Sequence, residues 1–186
     1  IRPVKMSAPE GSVVNCRFPA AVAARMQIGH FMTEMVFNAL AAATPHNILA
    51  GSGGTPAQTN IFYGRRHNGR PWHTMIIRGG GLGASSRKDG HHCAIFPANG
   101  ANTPVEIFES DTPLLVAERS LVTDSGGPGR MRGGLGRKMV IRVPDDDVGP
   151  QSPVTVAVQA GRFRYPPHGM FGGGAGSKAR FLRNRE

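Results

Sequence analysis

The sequence is poor in cysteine and has no long apolar runs. Only Cys16 and Cys93 are present among 186 residues, too few for the disulfide scaffold of a small secreted protein, so a reducing cytoplasm is the simplest location. No apolar run approaches the roughly 18–20 residues that span a bilayer. No apolar segment of the secretory type follows Ile1. The sequence therefore predicts a cytoplasmic protein with no membrane contact.

Acidic and aromatic residues are also scarce. The 12 Asp and Glu residues face 22 Lys and Arg residues, which gives a formal net charge of +10, and residues 126–142 carry five basic residues and no acid. Such a surface could bind nucleic acid. However, aromatics make up only 6% of the sequence, and no basic strand is interleaved with aromatics that would stack on bases. We therefore predict no nucleic-acid partner, and interpret the basic faces as pairing with acidic surfaces of other segments or subunits.

Glycine and proline are abundant, with 26 and 15 residues, while hydrophobic residues make up 39%. This composition indicates many turns and short strands. One main helix is predicted over about 19–43, because Val22, Met26 and Val36 fall on one apolar stripe and a proline follows at position 45. Strand signals occur at 61–63, 72–77, 93–96, 105–108, 114–121, 137–143 and 154–158. We expect an α+β fold, a strand-rich mixed domain with many Gly/Pro turns, formed as a single domain by residues 1–186.

The most informative stretch runs from residue 102 to 136. Asn-Thr-Pro-Val-Glu at 102–106 precedes a glycine-dense block, which is Asp124-Ser125-Gly126-Gly127-Pro128-Gly129 followed by Arg132-Gly133-Gly134-Leu135-Gly136. Glycine at this density costs chain entropy and is useful only where the backbone needs positive φ or close approach to another surface. We interpret the block as a structural turn that presents backbone amides.

Together with three other segments, this stretch resembles the hydantoinase B/oxoprolinase family. The other segments are Gly80–Ala84 with Asp89-Gly90, the proline-glycine turn Pro166–Gly173, and the opening Pro9–Asn15 with Pro19-Ala20. The resemblance runs in order over nearly the whole chain. It implies that the chain is the C-terminal part of a larger B-type subunit. The His/Asp metal-ligand motifs associated with the family's N-terminal half have no counterpart here, so any divalent metal is expected to bind outside this segment.

The resemblance also implies a function. We expect part of the B-type subunit of an ATP-dependent hydrolase of cyclic amides such as hydantoin, 5-oxoproline or a lactam. ATP and Mg would be bound by an A-type partner subunit, and the chain alone would be inactive. Two alternatives stay open: a subunit of an ATP-dependent ketone carboxylase of the acetone or acetophenone type, and a non-catalytic scaffold segment.

Three short motifs suggest other chemistry. The block 124–128 is similar to the nucleophile region of trypsin-like proteases, but activation of Ser125 needs a histidine base and an orienting carboxylate, and His91-His92-Cys93 stands only about 32 residues before it. Residues 79–84 loosely fit a dinucleotide-binding loop, but no helix with an apolar face follows. Residues 172–178 imitate a P-loop, but Ser177 replaces the glycine before the lysine, and Ala179 the Ser or Thr after it. We reject all three functions and predict no cofactor-binding residues.

The remaining candidates are polar residues. His91, His92 and Cys93 would alternate faces on a strand and do not make a complete zinc site, although a half-site completed by another segment stays open. Glu106 and Glu109 differ in strand parity, which argues against an acid–base pair. The candidate catalytic residues are Asn102, Glu106, Asp124 and Ser125. The favoured interpretation is that Asn102 and Asp124 satisfy backbone amides in turns.

Overall fold

The computed structural model describes residues 5–145 and 153–184. Within these ranges the chain forms two helices and five strands. They are α1 (Arg25–Leu40), β1 (Gln58–Arg65), β2 (Pro71–Arg78), α2 (Val105–Asp111), β3 (Leu115–Leu121), β4 (Arg137–Arg142) and β5 (Thr155–Gln159). All strand pairs are antiparallel. The predicted α+β class, dominated by strands, is therefore confirmed.

The strands form two small sheets. The first has the order β2-β1-β5 and the second contains β3 and β4. In the β1–β2 hairpin, Gln58 pairs with Arg78 and Arg65 with Pro71. The hairpin closes through Gly69, whose φ of 77° lies in the left-handed region that glycine adopts without strain.

The core lies between the two sheets and α2. Phe62, Trp72 and Ile76 share one face of the first sheet, because residues paired across antiparallel strands point to the same side. Phe108 from α2 meets Phe62 edge-on, with ring centroids 6.3 Å apart. Leu114, only 1% exposed, completes this cluster. Partly buried side chains of the second sheet, of β5 and of the residue before β5 pack against it at the border, namely Val116, Met139, Ile141, Val154 and Val156.

The strand predicted at 105–108 is wrong, since these residues begin helix α2. Pro104 stands at the N-cap position with ψ 148°, so its fixed ring precedes the helix instead of interrupting it. Apolar and polar residues alternate in Val105-Glu106-Ile107 as they would in a strand, but only Phe108 is buried within α2 and Ile107 is 52% exposed. The parity argument against Glu106 and Glu109 consequently fails, because residues three apart lie on neighbouring positions of a helix.

The strand predicted at 93–96 is also wrong. Cys93 has a positive φ of 52°, and Ala94 forms only an isolated bridge with Gly80. Its backbone packs closely against Gly54 and Gly79, so the segment is held as a loop. The argument that His91, His92 and Cys93 alternate across a strand therefore no longer applies.

Helix α1 is confirmed but runs from Arg25 to Leu40, inside the predicted 19–43, and Pro19 precedes it. Its buried residues are His30 and Glu34. The apolar stripe that predicts the helix points away from the body of the chain, since Val22, Met26 and Val36 are 48%, 51% and 42% exposed. The helix attaches through a mixed face on which Phe37 stacks against Phe96, with ring centroids 6.3 Å apart, beside buried His30 and Glu34. The stripe that contains Met26 and Val36 is left exposed.

Apolar exposure is widespread in the described part of the chain. Phe18, Tyr165 and Phe171 are 99%, 69% and 70% exposed. Contiguous exposed apolar surface commonly marks an interface with another protein segment. In residues 5–145 and 153–184, neither helix is long and apolar enough to cross a membrane.

Candidate functional site

Five irregular segments pack side by side through their backbones. They are residues 50–54, 79–84, 90–94, 125–136 and 166–177, and we call them the glycine layer. Hydrogen bonds connect neighbouring segments: Gly53 N–H donates to Gly81 O at 2.8 Å, and Gly134 N–H donates to Leu82 O at 2.9 Å. Gly174 N–H donates to Pro128 O at 2.7 Å. Backbone hydrogen bonds thus hold the segments of the layer together as they hold strands in a sheet, although these segments lie outside strands β1 to β5.

Close backbone approach explains the glycines of this layer. A Cβ on Gly81 would lie 1.8 Å from Gly134 O, and one on Gly83 would lie 1.9 Å from Ala50 O. The positive-φ glycines in the described ranges are Gly11, Gly69 and Gly172, of which only Gly172 belongs to the layer. The glycines of residues 126–136 are therefore explained by close backbone approach and not by positive φ.

The interpretation of block 124–136 as an amide-presenting turn needs correction. Gly133 N–H donates to Gly127 O at 3.0 Å, and Gly136 N–H donates to the Oγ of Ser125 at 2.8 Å. These amides, like that of Gly134, are satisfied within the chain. The block connects segments of the layer and does not offer these amides to a ligand.

The same is true of the two segments that imitate nucleotide loops. In the P-loop-like segment, Gly176 N–H donates to Pro167 O at 2.9 Å and Ser177 N–H to Ser125 O at 3.0 Å. In the segment 79–84, Leu82 N–H donates to His91 O at 2.9 Å, and Gly83 N–H donates to the Oγ of Ser52. Phosphate binding by such loops depends on free backbone N–H groups, and these four N–H groups already have acceptors within the chain.

An open cavity of about 2320 Å³ lies beside the glycine layer, and β4, β5 and residues 176–184 also line it. Small-molecule sites commonly enclose about 300–1,000 Å³. This cavity is wide enough to accept a further protein segment as well as a small molecule.

Four polar residues lie together at the edge of this cavity, and we call them the arginine cluster: Asn60, Arg78, Asn102 and Arg137. Asn60 pairs with Ile76, so Arg78 is its diagonal neighbour on the same face of the sheet. Arg78 donates from Nη2 to Asn60 Oδ1. Arg137, the first residue of β4, donates from Nη1 to Asn102 Oδ1 at 2.6 Å. Asn60, Arg78 and Arg137 line the cavity.

Burial and like charge act together on this cluster. Burial lowers the pKa of Arg78 to about 10, and the nearby charge of Arg137 adds to the effect. Burial likewise lowers the pKa of Arg137, with Arg119 contributing. The Nε atoms of Arg78 and Arg137 and the Nδ2 of Asn60 are buried without a hydrogen-bond partner in the described part of the chain. Neither arginine belongs to the ion pairs found there.

A second polar cluster fastens α1 to the rest of the chain. Glu34 Oε2 accepts from Arg162 Nη2 at 2.5 Å, and the two side chains are only 10% and 9% exposed. Arg162 also donates from Nε to Thr55 O at 2.7 Å. His168 Nδ1 lies 3.5 Å from Glu34 Oε1. His30 Nδ1 accepts from the backbone N–H of Ala57 at 3.2 Å, and burial lowers the pKa of this histidine.

The structure separates the predicted catalytic candidates into two pairs. Asn102 and Ser125 both support the start of β4: Asn102 accepts from Arg137, and Ser125 Oγ accepts from Gly136 N–H. Ser125 Oγ also donates a hydrogen bond to Val122 O at 2.7 Å, so its hydroxyl hydrogen points to a carbonyl oxygen and not to a histidine. Glu106 and Asp124 are exposed and do not join this group.

The histidine-cysteine group also has a structural contact. His92 Nδ1 accepts from Leu135 N–H at 2.9 Å, which ties this loop to the glycine-dense block. Across the described ranges, no three His, Cys, Asp or Glu side chains come together in a group that could hold a metal ion.

The sequence interpretation missed Asn60, Arg78, Glu34 and Arg162. For Arg78 a signal was present, because it continues the buried parity of Trp72 and Ile76 at the end of a strand. His30 and Glu34 also stand one helical turn apart on α1. Nothing local marks Arg162, whose partner Glu34 is 128 positions away.

A model of the hydantoinase B/oxoprolinase family matches residues 1–186. The chain belongs to the hydantoinase B/oxoprolinase family. This membership confirms the resemblance carried by the glycine motifs. A B-type subunit, that of the putative D-/L-hydantoinase of Pseudomonas sp. (strain NS671), is 32% identical over 171 residues, which are 91% of this chain and 27% of that protein. The beta subunit of the caprolactamase of Pseudomonas jessenii is 30% identical over 137 residues, which are 70% of this chain and 24% of that protein.

Two further proteins in the comparison are longer. The 5-oxoprolinase of Saccharomyces cerevisiae is 29% identical over 193 residues, covering 98% of this chain and 14% of the yeast protein. A solved nucleotide-free structure of acetone carboxylase is 28% identical, with a TM-score of 0.42, and covers 48% of this chain and 12% of that chain. This hydantoinase B/oxoprolinase chain spans about a quarter of the hydantoinase and caprolactamase subunits that it matches.

Proposed function

We propose that this chain is part of the B-type subunit of an ATP-dependent hydrolase of cyclic amides, of the hydantoin, 5-oxoproline or lactam type. The family match over residues 1–186 carries this proposal. The similar hydantoinase, caprolactamase and 5-oxoprolinase proteins all bear names of enzymes that act on cyclic amides.

The chemistry explains why such an enzyme uses ATP. Resonance makes an amide carbonyl unreactive toward water, so hydrolysis has a high barrier. Transfer of a phosphoryl group to the carbonyl oxygen makes the carbonyl carbon electrophilic enough for water to add. The C–N bond of the ring then breaks as its nitrogen takes up a proton, and a second water molecule releases phosphate from the resulting acyl phosphate. In this proposal ATP and Mg are held by an A-type partner subunit, which carries out the phosphoryl transfer.

The described residues of this chain do not fit an ATP site of their own. In its two nucleotide-like loops the N–H groups of Leu82, Gly83, Gly176 and Ser177 are already bonded to backbone or serine oxygens, and no three-residue metal group is present in the ranges that the structure describes. The proposal therefore assigns nucleotide and metal to the partner and to the remainder of the B-type subunit. Its two free cysteines suit a reducing cytoplasm as the location of the complex.

The proposed contribution of this segment is to shape one wall of an active site completed by other polypeptide. Three observations support it: the cavity is open, the apolar stripe of α1 is uncovered, and the arginine cluster lacks an acidic partner in the described ranges. Asn102, Glu106, Asp124 and Ser125 remain the candidate catalytic residues. Their surroundings favour a supporting role for Asn102 and Ser125.

The proposal is tested on the complex purified from its source, with all co-purifying chains identified. ATP consumption is measured with hydantoin, 5-oxoproline and caprolactam, and separately with acetone or acetophenone plus bicarbonate. Turnover stimulated by a cyclic amide supports the hydrolase. Turnover that requires ketone and bicarbonate assigns a ketone carboxylase instead. If the complex contains an ATP-binding partner and consumes no ATP in either assay, the proposal is refuted. The non-catalytic scaffold function is then the alternative that is left.

A further inference from the structure

The arginine cluster contains an excess of hydrogen-bond donors. Its two carboxamide oxygens are already used, because Asn60 Oδ1 accepts from Arg78 and Asn102 Oδ1 accepts from Arg137. Three buried N–H donors are left without partners in the described part of the chain: Arg78 Nε, Arg137 Nε and Asn60 Nδ2. An arginine guanidinium and a carboxamide nitrogen can only donate. What completes the group must therefore be an acceptor.

Charge points to an anionic acceptor. The two half-buried guanidinium groups carry like charge, and the lowered pKa of Arg78 reflects both its burial and the nearby charge of Arg137. The pKa of Arg137 is lowered by its burial and by the charge of Arg119. A buried charge without a counter-charge is unfavourable unless it is paired and hydrogen-bonded. An anion that contacts these guanidinium groups from the cavity would supply the missing counter-charge. Carboxylates and phosphates match the planar guanidinium fork.

We propose that Asn60, Arg78 and Arg137 form a binding site for a small oxyanion, a phosphate or a carboxylate group, that enters from the open cavity. The three residues come from β1, β2 and β4, so the two sheets together create the site. All three line the cavity, which gives a ligand access. The site does not depend on which reaction the complete enzyme catalyses, because binding of the anion rests on donors and charge alone.

Binding is measured by titration calorimetry on the complex as isolated from its source, at constant ionic strength. The probes are inorganic phosphate and, in a second series, acetate. Saturable binding of phosphate identifies a phosphoryl group as the preferred ligand, and binding of acetate alone identifies a carboxylate. Both results support the site. No saturable binding of either probe overturns it.

Single substitutions then locate the binding. Arg78→Gln and Arg137→Gln each remove one charge-assisted interaction and should weaken binding about tenfold or more. Arg70→Gln is the matched control, because it makes the same charge change on an exposed residue beside the other end of the same strand. Strand β2 has 8 residues, which places Arg70 roughly 25 Å from Arg78, and the affinity of this variant should stay within about twofold of wild type.

A fourth variant avoids the cost of removing a buried side chain. Asn102→Asp keeps the shape of the side chain and places a carboxylate where Oδ1 lies 2.6 Å from Arg137 Nη1. This built-in anion should lower the affinity for the probe by about tenfold while leaving the complex folded, as judged by its Tm.

The outcomes separate cleanly. Loss of affinity in the Arg78, Arg137 and Asn102 variants, with Arg70→Gln unchanged, supports the proposal. Equal losses in all four variants indicate a general charge effect and refute it. The proposal is also refuted if the arginine variants lower the Tm of the complex while neither phosphate nor acetate binds to it. In that case a carboxylate side chain of another segment occupies the cluster.

Discussion

Replacement of Gly81 by alanine tests whether close backbone approach maintains the glycine layer. The added Cβ would lie 1.8 Å from Gly134 O, whereas real Cβ contacts essentially never fall below 3.0 Å. The two segments must therefore move apart by about 1.2 Å, the difference between these distances. That movement breaks the hydrogen bonds from Gly53 N–H to Gly81 O and from Gly134 N–H to Leu82 O, and it strains the bond from Leu82 N–H to His91 O.

The expected cost follows from these bonds. At a net value of about 1 kcal/mol each, loss of the two broken bonds costs about 2 kcal/mol, before any penalty for the strained bond or for groups left buried without partners. A local opening made easier by about 2 kcal/mol corresponds to roughly thirtyfold faster amide exchange. Hydrogen exchange followed by mass spectrometry on peptides that cover residues 79–84 measures this change in the complete protein.

Gly29→Ala is the matched control for this experiment. Gly29 lies within α1, and a Cβ there would meet nothing within 4 Å. The same chemical change should therefore stabilise the helix by about 1 kcal/mol, because alanine forms helix better than glycine. If Gly81→Ala exchanges as slowly as wild type, the layer is not maintained by close approach and the reasoning is refuted.

Three other substitutions test the polar contacts. Glu34→Ala leaves Arg162 buried without its carboxylate and should lower the free energy of unfolding by about 3–5 kcal/mol; a change under about 1 kcal/mol in urea unfolding would contradict a buried pair. Since burial lowers the pKa of His30 below its ordinary value of 6.5, the unfolded chain binds the proton first as pH falls. Stability is then complete above about pH 6.5 and declines below it. His30→Asn keeps an acceptor without titrating and should flatten this decline in unfolding curves from about pH 5 to 8, whereas an unchanged profile assigns the decline to other groups. Ser125→Ala leaves Gly136 N–H unsatisfied and should cost about 1–3 kcal/mol in unfolding with most turnover retained; complete loss of turnover at full stability would make Ser125 catalytic.

The sequence predicted those helices and strands in which apolar residues recur at regular spacing. Strands β1 to β5 and helix α1 all follow from apolar repeats at strand or helix spacing, with ends shifted by a few residues. The segment of helix α2 was predicted as a strand because apolar and polar residues alternate in Val105-Glu106-Ile107, although Ile107 is 52% exposed and only Phe108 of the helix is buried. A helix this short shows too few buried positions to reveal a helical period.

The polar clusters could not be predicted in the same way. Arg162 meets Glu34 across 128 positions, and Arg137 meets Asn102 across 35, so tertiary packing and not sequence spacing brings them together. The apolar stripe of α1 identified the helix correctly but gave no indication that its opposite face is the one buried here. The glycine motifs indicated a backbone-driven structure, yet a single sequence does not reveal which segments approach each other.

The glycine layer also restricts how this part of the protein can evolve. Each amino acid other than glycine carries a Cβ, so at Gly81, Gly83 or Gly90 even the smallest missense change places an atom within 2 Å of a carbonyl oxygen. These positions cannot change stepwise through small side chains, because even alanine, the smallest replacement, would clash with the neighbouring backbone. New specificity within such an enzyme is therefore expected to arise in the residues that surround the layer, while the layer itself is inherited unchanged.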